Sequence, residues 1–366
     1  MNRPVKLLVV GRTRFTFPLP ETLRRRFDAL STELEWRQMG TGRSSDARFA
    51  LAPPFPIRRL DGIAFYLALP FRVARELRRF RPDAVLAQGL QETALVLLAR
   101  SLARTSTKVI ADVHGDWRAP TRLYGSRGRR LLDPLADALA RIGLSNADGV
   151  RTISGYTTGL VRAGGREPDA EFPAYMDLEP FLAEPPAPLP EKPTALFVGV
   201  LERYKAIDVL AAAWPAVRER VPGARLHVVG SGSSVAPAGE GVSWSPSLTT
   251  AEVAAALDAA TLLVLPSRSE GMGRVLVEAF CRRRGVVASR VGGIPDLVRD
   301  GENGILVPPG DDAALADALV RVLGDRGLAE RLGRAAHASA GAWTATPEEF
   351  AHRLRELVER VTKLSA

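Results

Sequence analysis

Short runs of aliphatic residues, bounded by turn residues and separated by helical patterns, recur along the whole 366-residue chain. They fall at residues 5–10, 84–87, 108–113 and 149–153 in the first half, and at 194–198, 225–229, 262–265, 286–288 and 304–307 in the second. A strand that is apolar on nearly every residue must be covered on both faces, and helices crossing over a parallel sheet provide that cover. The expectation is an α/β protein with two Rossmann-like, doubly wound domains, and the length also favours two cores over one. Residues 181–193, FLAEPPAPLPEKP, mark the boundary, because prolines deny the backbone both helix and ladder hydrogen bonds. The expected division is a domain over 1–180, a Pro-rich linker over 181–193, a domain over 194–346 and an amphipathic helix over 347–366. That helix carries Phe350, Leu354, Leu357, Val358 and Val361 at helical spacing and is expected to pack back on the body.

Composition narrows the class. Apolar residues at 46% with 25% charged residues describe a folded globular chain and exclude disorder. A single cysteine, Cys281, excludes an internal disulfide and any Cys-rich metal site, which fits a reducing compartment. His114, His227, His337 and His352 are scattered, with no HExxH and no DxD, so no metal is expected; GxSxG and GxxxxGK[ST] are absent too. The apolar run at 7–10 is too short for a signal-peptide core, and the run at 94–99 falls far short of the roughly 20 residues that span a bilayer. The chain is expected to be cytoplasmic.

The net charge of +9 is uneven: residues 1–185 carry 29 Lys and Arg against 20 Asp and Glu, while residues 186–366 carry 21 of each. A basic first domain suits an anionic partner, whether nucleic acid, an anionic membrane surface or a phosphorylated substrate. No recognition-helix, RNA-binding or zinc-finger pattern accompanies it, so nucleic acid is not expected. Residues 62–81, GIAFYLALPFRVARELRRFR, place Ile63, Phe65, Leu67, Leu69 and Phe71 ahead of Arg72, Arg75, Arg78, Arg79 and Arg81. This segment reads either as a peripheral contact with anionic membrane or as a core helix with a solvated arginine face. Residues 127–130 are a further candidate phosphate contact.

The segment with the most chemistry is 261–280, TLLVLPSRSEGMGRVLVEAF, a strand running through a Ser- and Gly-rich turn into a helix. Such a junction aims the first N–H groups of the helix at an anion, here around residues 271–274. Glu270 and Glu278 flank that point. A carboxylate beside a phosphate cannot bind the phosphate, but it is an apt acceptor for sugar hydroxyls.

This E-x7-E arrangement resembles that of the retaining glycosyltransferases of the GT-B fold, in the large family 4 group. The likeness extends to LFVGVLERYKAID at 196–208, VGGIPDLVRDGENGILVPPGD at 291–311, DVHGD around His114 and FPAYMDLEPF at 172–181. The resemblance implies that 1–180 is the acceptor side and 194–346 binds the nucleotide sugar. It implies that Glu270 binds hydroxyls of the transferred hexose, Glu278 the ribose, and Gly271, Met272 and Gly273 the sugar or diphosphate through backbone N–H groups. Lys205 would neutralise the diphosphate, Gly199 would supply the turn before it, and His114 would contact the sugar. Where the family has an arginine after the glycine matching Gly199 this chain has Val200, and Arg203 is the candidate replacement. Gly11 matches the family's glycine loop near the diphosphate in part.

On this reading the catalytic residues are Glu270, His114 and Lys205, and no cofactor is needed. A nucleotide diphosphate sugar serves as co-substrate, and cationic side chains and a helix start do the work of a metal. The reaction implied is front-face hexosyl transfer with retention, to an acceptor glycan or lipid-linked acceptor in envelope glycolipid or polysaccharide synthesis at the inner face of the membrane. The alternatives are a sugar-nucleotide epimerase of the same fold and a non-catalytic nucleotide-sugar binding protein. Each residue also has a plainer reading: the carboxylates as helix-start charges, Lys205 as a solvated loop residue, and His114 as a hydrogen-bonded strand-end histidine.

Overall fold

The computed structural model describes residues 3–53, 61–119 and 131–363, so residues 127–130 lie outside the described residues. The chain divides into two compact units, one running to Tyr175 and resumed from Ala345, the other spanning Met176–Thr344.

Unit 1 holds β1 (Lys6–Arg14), β2 (Glu35–Thr41), β3 (Phe49–Ala52), β4 (Ala84–Gln88), β5 (Lys108–Val113), β6 (Gly149–Thr152) and β7 (Ala170–Glu171). All pair in parallel, in the order β3-β2-β1-β4-β5-β6-β7. Side chains alternate between the two faces. Leu8, Val10, Val85, Ala87 and Val109 pack under α2 (Asp61–Phe80) and α3 (Leu90–Ala103), and Ala111, Val113 and Val150 under α4 (Asp133–Asn146). Leu7, Val9, Leu86 and Ile110 face the other way, against α1 (Glu21–Glu33). A fifth helix, α5 (Gly155–Ala163), starts on a Ser154–Thr157 capping box.

Unit 2 repeats the scheme with β8 (Thr194–Val198), β9 (Arg225–Val229), β10 (Val242–Ser245), β11 (Leu262–Leu265), β12 (Gly285–Ser289) and β13 (Gly304–Val307), parallel in the order β10-β9-β8-β11-β12-β13. Its larger core lies between this sheet and α6 (Ile207–Arg220), with α7 (Thr250–Asp258), α8 (Arg274–Cys281), α9 (Asp312–Leu323) and α10 (Arg326–Ala340) completing the unit. The last helix, α11 (Pro347–Thr362), opens on a Thr346–Glu349 capping box and buries Phe350, Leu354, Leu357 and Val358 in the core of unit 1, beside α1.

Every strand expected from the sequence is present, and both sheets match the α/β, doubly wound expectation. Four further strands were not expected from the sequence. β3, β7 and β10 lie at sheet edges, where one side is open. β2 lies inside, but its polar residues are consumed by partners: Arg37 pairs with Glu76 at 2.8 Å, and the Gln38 amide donates to the Met39 carbonyl at 2.8 Å.

The stretch 181–193 differs from the connector expected. Unit 2 begins ahead of it, at Met176, and the stretch is strapped onto that unit by arginines. Arg282 donates to the carbonyls of Phe181, Glu184 and Pro185, Arg284 to those of Ala187 and Pro188, and Arg326 to those of Leu189 and Pro190, all at 2.6–3.2 Å. The physical reason is that prolines leave carbonyls without N–H partners, and guanidinium groups supply several donors each. Burial pulls the Arg284 pKa down to about 10, with Asp258 acting against the shift. Arg284→Leu should lower the unfolding free energy by about 3 kcal/mol, because buried carbonyls lose their donor. Urea denaturation checks this, and a change below about 0.5 kcal/mol contradicts it.

Candidate active site

In each sheet the strand order reverses beside the first strand of its unit, at β1/β4 and at β8/β11. Loops leaving the carboxyl ends of the two strands at such a point diverge and leave room for a ligand. In unit 2 these are the loop from Gly199 to Ala206, after β8, and the loop from Pro266 to Gly273, after β11. The two sequence-predicted residues Lys205 and Glu270 come one from each loop, and they meet.

Lys205 Nζ donates to Glu270 Oε1, and the two side chains are only 12% and 9% exposed. Ser267 Oγ donates to the same carboxylate oxygen at 2.8 Å. The ammonium also lies 5.3 Å from the centre of the Tyr204 ring, whose phenol is pushed up to about 12 by burial and by the charges of Glu270 and Glu202. The lysine stem runs beside Gly199, where a Cβ would make only ordinary contact, 3.6 Å from Lys205 Cε. Arg268 ties the loops together through bidentate contacts with Asp208 at 2.8 Å and a 2.9 Å bond to the Arg203 carbonyl. The Arg203 side chain is exposed and bonds to no described residue, and Val200 is 47% exposed.

The loop after β11 then turns into α8. Gly273 takes φ +79°, and α8 begins with no side-chain cap, so N–H groups of its first turn have no side chain to meet. Met272 is buried, while Gly271 is half-buried. A carboxylate, Glu278, sits one and a half turns along α8, half-buried and without a hydrogen-bond partner among the described residues. Burial pushes its carboxyl above the usual range, and Arg274 only partly offsets this. Gly292 at φ +54° underlies the loop, where a Cβ would stand 1.8 Å from the Glu270 carbonyl oxygen. Gly230 does the same for Gly199 at φ +145°, again with 1.8 Å to a carbonyl oxygen. Ser267, Tyr204 and Gly292 were not singled out from the sequence. Of these, only Gly292, the first glycine of VGG, had a local sign in the sequence, the paired glycines.

Unit 1 places His114 just after β5. Its Nε2 lies 2.7 Å from Asp112 Oδ2, and Arg151 bonds the other Asp112 oxygen at 2.6 Å. Burial opposes ionisation of Asp112, yet Arg151 and His114 hold its carboxyl well below the usual range. Arg151 is itself buried, stacked 4.0 Å over the Phe172 ring and donating to the Phe172 and Pro173 carbonyls. His114 is thus exposed on one side and oriented by a buried ion pair that sequence reading did not foresee.

Gly11 departs from the expected glycine loop, because β1 continues through it to Arg14 after a register shift. Pairing of Arg14 with Thr41 and the bond from Phe15 N to the Thr41 carbonyl keep the chain extended there. Nearby, buried Glu92 accepts from the Tyr66 hydroxyl at 2.6 Å; burial pushes its carboxyl up, and burial with the Glu92 charge pushes the phenol up.

A sequence profile described as "Glycosyl transferases group 1" matches residues 192–325, and one described as "Glycosyl transferase 4-like domain" matches residues 35–171. The chain is 32% identical over 302 residues to the D-inositol 3-phosphate glycosyltransferase of Streptomyces bingchenggensis (strain BCW-1), covering 75% of this chain and 59% of that protein. That relative is therefore matched over less than two thirds of its length. The chain is 29% identical over 268 residues to the GDP-mannose-dependent alpha-(1-6)-phosphatidylinositol monomannoside mannosyltransferase of Mycobacterium tuberculosis (strain ATCC 25618 / H37Rv), over 66% of this chain and 67% of that protein. Among solved structures, sucrose-phosphate synthase from Thermosynechococcus elongatus aligns with a TM-score of 0.80 and 19% identity, covering 99% of this chain and 100% of that one. HepE of Anabaena in complex with UDP-glucose aligns at 0.67 with 17% identity, covering 98% and 100%. At these identities the structural likeness concerns the fold.

The raised Glu278 carboxyl has a consequence for stability. A carboxyl whose folded pKa exceeds its unfolded value favours folding only at low pH, and that contribution is lost as pH rises through the folded pKa. Glu278→Gln should therefore raise Tm at pH 7 relative to wild type and lose that advantage near pH 4. An unchanged or lowered Tm at pH 7 contradicts this assignment.

Proposed function

The chain belongs to the group 1 glycosyl transferases and has the GT-B fold, and on that premise we propose that it transfers a hexosyl group from a nucleotide diphosphate sugar to an acceptor hydroxyl with retention at the anomeric carbon. The observation that carries the reading is the Lys205–Glu270 pair, set between the loops after β8 and β11 beside the uncapped start of α8.

In this reading the diphosphate lies against Lys205 and the first N–H groups of α8, where fixed positive charge is available as the leaving group gains negative charge. Glu270 accepts from hexose hydroxyls, and Gly271, Met272 and Gly273 offer backbone donors. Glu278, half-buried and unpartnered among the described residues, accepts from the ribose. Arg203 adds charge in place of the arginine absent at Val200. The bond from the anomeric carbon to the diphosphate oxygen breaks, with its electron pair leaving on the diphosphate. The acceptor oxygen bonds to the same face of that carbon, and its proton passes to the leaving phosphate.

His114, with its orientation fixed by Asp112, serves as a contact for a sugar hydroxyl, and Gly11 in β1 is kept as a candidate diphosphate contact. Positive side chains and helix N–H groups make a metal unnecessary. The relatives' names, which speak of an inositol phosphate and a phosphatidylinositol mannoside, support an acceptor glycan or lipid-linked acceptor. Glycolipid or polysaccharide synthesis at the cytoplasmic face of the membrane follows from that acceptor class.

Incubation with a panel of UDP-, GDP-, ADP- and dTDP-sugars in the presence of EDTA tests the reading, with product configuration followed by NMR. One donor should be turned over with its anomeric configuration kept, and Glu270→Ala should slow turnover by about a thousandfold. Binding without turnover would leave a nucleotide-sugar binding protein, and solvent deuterium entering the sugar would indicate an epimerase.

A further inference from the structure

The eight-residue helix α8 carries two charges in positions that weaken a helix. Arg274 is its first residue, where the helix dipole already concentrates positive charge, and Glu278 lies in its second half, toward the negative end. The pair also stands in the less favourable order, because a carboxylate one turn before a cation supports a helix better than the reverse. Elsewhere in unit 2 the ordinary arrangement holds: α9 and α10 open on the aspartate caps Asp311 and Asp325. α8 has no side-chain cap and no acidic residue in its first turn. Its two charges therefore do not serve the helix itself.

Glu278 already has a role in the proposed function; Arg274 does not. Arg274 is exposed and forms no hydrogen bond or ion pair with a described residue. Helical side chains lean toward the amino end, so a side chain at the first position projects past the helix start, beside the N–H groups left uncapped there. Its charge reaches Glu278, four residues on, and lowers a carboxyl that burial raises. Unit 2 thus places a carboxylate with a cation on each side of the α8 start: Glu270 with Lys205 before it, and Glu278 with Arg274 within it.

A nucleotide diphosphate sugar has the same alternation. Hexose, phosphate, phosphate and ribose follow one another, with hydroxyl-bearing rings outside and anionic groups between. Carboxylates accept from ring hydroxyls, and cations meet phosphates. With Glu270 on the hexose and Glu278 on the ribose, the phosphate next to each ring falls to the cation beside each carboxylate. We infer that Arg274 binds the phosphate adjoining the ribose, leaving Lys205 to the phosphate that bears the hexose. A guanidinium offers that phosphate two N–H donors in a fixed fork. The bond broken in transfer lies at the hexose-bearing phosphate, so Arg274 holds the donor in place while Lys205 meets the charge that develops. The inference rests on the proposed function and divides its diphosphate site between two residues.

Competition calorimetry on the full chain tests it, with a nucleoside, its monophosphate and its diphosphate in the uridine, guanosine, adenosine and thymidine series, in the presence of EDTA. For the base that wild type accepts, Arg274→Ala and Arg274→Gln should each weaken monophosphate and diphosphate alike, by about tenfold or more, and leave the nucleoside unchanged. Lys205→Ala should weaken the diphosphate and leave the monophosphate within about twofold of wild type. Arg274→Lys, which keeps the charge without the fork, should fall between wild type and Arg274→Ala. Circular dichroism melting establishes that each variant is folded. Folded Arg274 variants that bind the monophosphate like wild type overturn the inference, and so does an equal loss for the nucleoside, which a displaced Glu278 would produce. A loss confined to the diphosphate places Arg274 on the other phosphate and overturns it too. Each of these outcomes leaves nucleotide binding by wild type, and with it the functional reading, standing. If wild type binds no monophosphate or diphosphate of any base, the functional reading fails and the inference falls with it.

Discussion

Lys205 and Glu270 are both almost out of water, so neither side chain keeps enough hydration to carry its charge alone, and each is stabilised by the other. That mutual dependence binds the loop after β8 to the loop after β11. The surrounding residues make the approach possible: Gly230 and Gly292 remove side-chain bulk where their backbones press on the carbonyls of Gly199 and Glu270, and Arg268 fastens one loop to the other. The same arrangement explains how the site can be stable before a donor arrives and still receive one. In the function proposed, a diphosphate competes with Glu270 for the ammonium, and the carboxylate then turns to hydroxyl donors, which a hexose provides.

Unit 1 meets a similar demand with different residues. Asp112 is deeply buried at the end of β5, and Arg151 and His114 compensate it on either oxygen. Because Arg151 is held by the Phe172 ring and by two carbonyls, the carboxylate is fixed and the histidine is oriented from behind. On the opposite kind of surface, away from the strand ends, the unit leaves Leu67 and Phe71 in water. Charges are thus drawn in at the strand ends, and apolar side chains are left out on the helix surface.

How much of this was legible in the sequence follows from what a linear pattern records. Strands buried on both faces appeared as aliphatic runs, and the strand-turn-helix at 261–280 displayed both Glu270 and the uncapped helix start. β2 was invisible because Arg37 and Gln38 satisfy their polarity through partners far away or through the backbone, which no local pattern shows. Gly11 was matched in part to a glycine loop through the family resemblance, whereas pairing with β2 carries β1 on to Arg14. The proline-rich stretch was read as a semi-rigid linker between domains, because no local pattern showed that Arg282, Arg284 and Arg326 would claim its carbonyls. The meeting of Lys205 with Glu270, 65 positions apart, follows from strand order, and Ser267 and Tyr204 become meaningful only after it.

The claim at the centre of this account is that Glu270 reads the sugar and Lys205 the diphosphate. Calorimetric titration with a nucleotide diphosphate and with its sugar conjugate, on wild type, Glu270→Gln and Lys205→Ala, separates the two roles. The account predicts that Glu270→Gln abolishes the extra affinity conferred by the sugar while leaving the nucleotide diphosphate bound as tightly or more tightly, and that Lys205→Ala weakens both ligands by a similar factor. If Glu270→Gln weakens both ligands equally, or if Lys205→Ala affects neither, the assignment of these two residues is contradicted.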